Sequence, residues 1–277
     1  MEEKFEISAL KKYNSTAIQG CLNHINSIID YKLTEDDKNL FLIFHDFMTN
    51  PEPTFITEWR ADPLKEKWYH KFTNTILVDT QSALICVQYH FDKLIEIEKS
   101  LMNGVEKFNY REVLGNSVLG LGNSLVWDFE YQAFVLAFRR TLDYLTRGIC
   151  TYFKNDYHSF RTLDSFLQKQ NRPNFTKQLI SIHNKFQKEF DFVLSDEKRK
   201  SVRDRISHYE YVNVGIINLT NQGLILVGGG EELGLDNDRL LSEVVTQKMG
   251  YLKMCIHELI LAFIHSVKKD EIEKHQK

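Results

Sequence analysis

Prolines and glycines are scarce, 4 and 13 in a chain of 277 residues. A many-stranded β sandwich needs frequent turn residues, so this scarcity excludes that class and favours long helices. Cysteines number 4 and stand far apart, at Cys21, Cys86, Cys150 and Cys255. No CxxC occurs, which excludes a zinc ribbon and a thioredoxin-type motif. Each thiol lies in an apolar, helix-like context and reads as a small buried hydrophobe in a reduced, cytoplasmic protein. Long apolar runs are missing too. Leu259 to Ile264 is among the longest, far below the roughly 18 residues of a membrane span, so no membrane partner is expected. The opening MEEKFEISAL is acidic and has no apolar h-region, so no secretory signal is expected. Neither sign of charge dominates, with 35 Lys and Arg against 38 Asp and Glu, a net charge of −3. Nucleic-acid binding would therefore need a local patch and not a global field.

What the chain does have is helical periodicity. Apolar residues make up 43 % and charged residues 26 %, an ordinary globular balance. Ile18, Cys21, Leu22, Ile25, Ile28 and Ile29 are spaced as one helix face, and Leu40, Phe41, Phe44, Phe47 and Met48 as another. Pro51 and Pro53 stop the second. A stripe from Leu64 to Leu101 predicts one helix of nearly forty residues, or two with a break near Asn74. Residues 106–124 gather Gly115, Gly120 and Gly122 with Asn109, Asn116 and Asn123 and read as a linker. Domain limits follow: an N-terminal helical region at 1–105, that linker, a helical domain at 125–268 and a frayed tail at 269–277. Within the helical domain, Phe134, Phe138, Leu142, Leu145, Ile149 and Phe153 mark the clearest helix. Helices follow near 159–169, from Phe175 to Val193, from an N-cap at Ser195 to about Tyr209, and from about Asp238 to Val267. The single β-like stretch is a hairpin, Val212–Leu219 and Leu224–Val227 around Thr220-Asn221-Gln222-Gly223.

The informative segment is Lys198-Arg199-Lys200-Ser201-Val202-Arg203-Asp204-Arg205-Ile206-Ser207-His208-Tyr209. Lys198, Arg199, Lys200, Arg203 and Arg205 make a positive patch suited to a phosphate backbone. Arg203 and His208 are five apart, about 140° round a helix, and reach a common site only across a helix flank or groove. Asp204 and His208 are four apart and stack, so the carboxylate is placed to orient the imidazole. Tyr209 follows as a stacking group for a base. These residue types suit metal-free RNA cleavage. Imidazole exchanges a proton near neutrality, and guanidinium holds phosphate and offsets developing charge. One Arg and one His supply only part of an acid–base pair, so a homodimer that brings in a second His is expected. No cofactor or metal is required.

Arg203-Asp204-Arg205-Ile206-Ser207-His208 resembles the Rx4-6H signature of the HEPN superfamily, with Asp204 at the commonly polar position after the Arg. The helix from Phe129 to Tyr144 also looks like the first core helix of many prokaryotic HEPN domains. The resemblance covers roughly 125–268 and leaves 1–105 unexplained. It implies a mainly α bundle of HEPN type with an inserted β-hairpin. It also implies Arg203 and His208 as an active-site pair in a dimer cleft, and an endoribonuclease of a toxin or antiviral-defence type. RNA and a cognate antitoxin or regulator are the partners that follow. Some members of the superfamily bind without cleaving. A non-catalytic RNA- or nucleotide-binding module therefore stands beside the nuclease reading, as does a helical interaction protein with a solvated polar helix. Other candidates are bland. His257 and His265 lack an HExxH, and His183 sits on an apolar helix. Asp143 and Glu130 read first as exposed carboxylates, and Ser201 and Ser207 lack a nucleophile elbow.

Overall fold

The structure, a computed structural model, describes residues 33–50, 54–107, 109–122, 125–194, 200–208, 211–212, 216–227 and 241–275. It is mainly α-helical. The first helices are α1 (Glu35–Thr49), α2 (Thr54–Ala61), α3 (Pro63–Asn74) and α4 (Gln81–Glu106). Between α3 and α4 the chain does not break. It widens into a π-helical turn at Thr75–Thr80, starting where the sequence placed its break. The Thr80 hydroxyl donates to the Thr75 carbonyl at 2.8 Å, meeting an acceptor the widened turn would otherwise leave open. A short α5 (Tyr110–Leu114) leads to β1 (Leu119–Gly122) and the long α6 (Leu125–Thr151). Then come α7 (Leu163–Gln168), α8 (Pro173–Gln187), α9 (Val202–His208), the hairpin β2 (Ile216–Thr220) and β3 (Gly223–Val227), and α10 (Leu241–His275).

The hairpin forms at the expected turn, with Thr220 opposite Gly223, but Val212, where the first strand was expected to start, has no strand structure. The linker reading needs a correction. Gly120-Leu121-Gly122 lies in a strand, β1, which pairs antiparallel with β2 to give the sheet order β1-β2-β3. Glycine-rich composition hid it, because a strand held by backbone ladder bonds needs few β-forming side chains when it sits at an edge. Residues 15–30 and the glycine run at 228–230 lie outside the described residues.

One hydrophobic core joins the two halves of the sequence. At one end Phe55 and Trp59 of α2, Phe72 of α3, Tyr152, Phe175 of α8 and Phe263 of α10 form an aromatic cluster. Tyr152 stacks on Phe175 with centroids 5.2 Å apart, and Phe72 meets Phe263 at 5.5 Å. Two buried carboxylates tie distant helices by receiving the open N–H groups of a helix start. Glu271 of α10 accepts from the Phe55 amide at 3.3 Å and from the Thr54 hydroxyl. Glu98 of α4 accepts from the Ser242 amide at 2.9 Å. Burial pushes the Glu98 carboxyl above its ordinary value, and the Ser242 hydrogen bonds pull it back. Asp37 of α1, only 2 % exposed, is held by Lys253 at 2.9 Å and His257 at 3.2 Å, both on α10. By length and composition α10 passes for a membrane-crossing helix, but 56 % of its apolar window is buried inside the fold.

Helix α6 lies deepest, with Trp127, Tyr131, Phe134, Val135, Phe138, Leu142 and Leu145 at 0 % exposure. The Trp127 indole donates to the Leu94 carbonyl of α4 at 3.3 Å. At the far end of this seam Gly148 faces Ile76 of the π turn. A Cβ there would fall 2.7 Å from Ile76 Cγ1 and closer still to Cδ1. Ile76 is itself 2 % exposed and has nowhere to go. Overpacking costs about 1–3 kcal/mol, against a helix-propensity gain of about 1 kcal/mol for Gly to Ala. Gly148→Ala is therefore expected to lower stability by up to about 2 kcal/mol in urea unfolding. An unchanged or raised midpoint would show that the seam has slack.

Candidate functional site

The motif helix α9 is short, and its start differs from expectation. Lys200 and Ser201 precede it without helical structure, and the helix that bears Arg203 and His208 begins at Val202. Ser195, Lys198 and Arg199 lie outside the described residues, as does Tyr209. Ser201 is the cap. Its hydroxyl accepts from the Asp204 amide at 3.2 Å and its carbonyl from the Arg205 amide at 3.1 Å. Ser201 is 3 % exposed, which suits a capping role better than a nucleophile. Val202, fully buried, and Ile206, half-buried, anchor the helix to the core against α6. The opposite side carries the polar residues to solvent.

Arg203 and His208 sit on this helix, Arg203 in its first turn and His208 at its last residue. Arg203 Nη1 donates to Asp204 Oδ1 at 2.6 Å, with the two side chains 32 % and 28 % exposed. The sequence read Asp204 only against His208; the structure pairs it with Arg203. His208 and Lys200 are exposed, and Arg205 is half-buried. A guanidinium has five N–H donors, so the Asp204 contact orients Arg203 without exhausting it.

Helix α6 also fixes the chain just past the motif, a feature with no sign in the residue pattern. The Tyr211 hydroxyl donates to Asp128 Oδ2 at 3.1 Å, and Gln132 Nε2 donates to the Val212 carbonyl at 3.0 Å. Asp128 is fully buried. Desolvation, then the Asp128 hydrogen bond, raise the Tyr211 hydroxyl above its ordinary value, so it stays a donor. Leu125, Val126 and Phe129 on the first turns of α6, and Tyr211, are each more than half exposed.

The remaining sequence candidates fall elsewhere. Asp143 and Glu130 are not exposed carboxylates. Asp143 pairs with Arg139 at 2.9 Å and accepts from the Phe160 amide, while Glu130 pairs with His90 of α4 at 2.7 Å. His183 is fully buried and satisfied, with Nε2 2.7 Å from the Phe160 carbonyl oxygen. His257 serves the Asp37 cluster. Among the described residues no group of three or more His, Cys, Asp or Glu side chains is arranged to hold a metal.

The cap makes the motif helix testable. Replacing an N-cap Ser by Ala costs about 1 kcal/mol. Ser201→Ala is expected to lower the unfolding free energy from urea titration by that amount, and a substitution without effect would remove Ser201 from the helix start. No family model, no curated protein and no solved structure matches the chain.

Proposed function

We propose that the chain is a metal-independent endoribonuclease of HEPN type, serving as a toxin or in antiviral defence. The observation that carries the reading is the disposition of α9. Val202 and Ile206 pack into the core, Arg203 keeps 32 % of its side chain in solvent, and His208 at the last turn is exposed. Arg203 would hold the scissile phosphate and offset the charge that grows on it. His208 would take the proton of the ribose 2′-OH, or return one to the departing 5′ oxygen. Lys200 and Arg205, with Lys198 and Arg199 before them, would track the neighbouring phosphates. Asp204 keeps the Arg203 guanidinium in one orientation. The mainly α fold, with the motif helix between α8 and the closing α10, agrees with the resemblance.

A single His supplies one of the two proton transfers, so the reading calls for a second copy that brings its own His208 to the same cleft. Exposed Leu125, Val126, Phe129 and Tyr211 beside the motif support such a contact.

The test is cleavage of single-stranded RNA in excess EDTA. The wild type should leave 2′,3′-cyclic phosphate ends. His208→Ala should lower the rate about 10²–10⁴-fold, the worth of one acid–base group. Arg203→Ala should lower it about 10²–10³-fold. Salt-sensitive RNA binding without turnover would instead mark a binding module. A His208→Ala chain that cleaves at the wild-type rate would end the nuclease reading.

A further inference from the structure

From Val113 to Trp127 the chain carries no charged residue, 15 positions in a protein that is 26 % charged. A run of that kind usually belongs to a core, yet residues 115–120 are all exposed. Of the 14 large apolar side chains most open to solvent among the described residues, 7 gather here. Val113 stands on α5, Val118 just before β1 and Leu119 at its start. Leu125, Val126 and Phe129 follow on the first turns of α6, and Tyr211 joins them through its hydrogen bond to Asp128. With roughly 200 Å² of surface per side chain and about half or more of each in water, the patch is on the order of 700 Å². The largest apolar patch on a typical monomer is about 300–600 Å², and one side of a stable protein contact is about 800 Å².

The backbone gives this patch a direction. β1 is an edge strand, with β2 on one side and no strand on the other among the described residues. The opposite edge of the sheet, β3, packs against α4 and α10. Edges that face water are commonly guarded by Lys, Pro or another charge. β1 reads Leu119-Gly120-Leu121-Gly122 and has no such guard, and its glycines leave room for another backbone to approach.

We propose that β1 pairs antiparallel with β1 of a second copy, which joins the two sheets into one, with the apolar starts of both α6 helices beside the seam. A strand paired with itself in this way lies on a twofold axis, and the contact closes there because β3 is already covered. The absence of charge selects this occupant. Near a twofold axis a charge meets its own sign, and this segment has none to repel its copy. A foreign partner is commonly told apart by complementary charge, and the segment offers none to read. The seam deepens the nuclease reading, for it gives the second copy a place. Tyr211 stands three residues past His208, so each protomer brings the end of its motif to the contact.

The experiment is sedimentation equilibrium of the full-length chain at up to about 100 μM. Wild type should dimerise, with a Kd that changes less than about threefold between about 50 and 500 mM salt, since no ion pair crosses the centre of the seam. Leu119→Lys should raise that Kd about tenfold or more, and Leu64→Lys, on an exposed position of α3, should leave it unchanged. Hydrogen exchange of the wild type gives a measurement free of any variant's folding: the amides of Leu119–Gly122 should gain protection as the dimer forms. A monomer, a dimer that Leu119→Lys leaves intact, or a dimer whose β1 amides exchange as in the monomer would each overturn the proposal. Seam and nuclease fail separately. A dimer with this seam that cleaves no RNA keeps the pairing and ends the nuclease reading, while a monomer that cleaves RNA through His208 does the reverse.

Discussion

The burial of helix α6 is the constraint from which the rest of the molecule follows. A helix of 27 residues, Leu125–Thr151, with most of its large side chains sealed from water, needs partners on several sides. Helix α4 covers one side through the Trp127–Leu94 hydrogen bond and the His90–Glu130 pair. The π turn covers the far end, where Ile76 presses on Gly148 and leaves no volume for a side chain. On another side sit Val202 and the chain beyond the motif, pinned by Asp128 and Gln132. Because one helix serves all of these contacts, the N-terminal helices and the motif-bearing half share one core.

That arrangement divides the molecule into a stiff part and a displayed part. Helix α9 has 7 residues, too few to be stable alone, and rests on Val202, Ile206 and the Ser201 cap. Arg203, Asp204 and Arg205 are half-buried along it, and Ser207 and His208 are exposed. The His90–Glu130 pair takes one partner from α4 and one from α6, so it exists only while that seam is closed.

Much of this was legible in the sequence, for physical reasons. The 3.6-residue spacing of Phe134, Phe138, Leu142 and Leu145 marked α6, and Leu64 to Leu101 marked the run that the π turn bends but does not break. The β2–β3 hairpin was visible in its turn residues. β1 was not, because Gly120 and Gly122 carry no strand-forming side chain and the pairing with β2 spans about a hundred residues. The start of the motif helix was misread because Ser195 with its acidic followers and Ser201 both have cap chemistry, and the sequence ranks neither above the other. That Arg203 and His208 share one helix was legible, whereas the contacts of Asp128 and Gln132 were not, since their partners are fixed by tertiary packing.

Native-state hydrogen exchange tests most directly whether α6 is the shared support. Amides of α4, α6 and the middle of α10 are predicted to exchange together, at the free energy of global unfolding, while those of α9 open more cheaply. If the amides of α4 exchanged through an opening that left α6 protected, the two halves would be independent units and the account would fail.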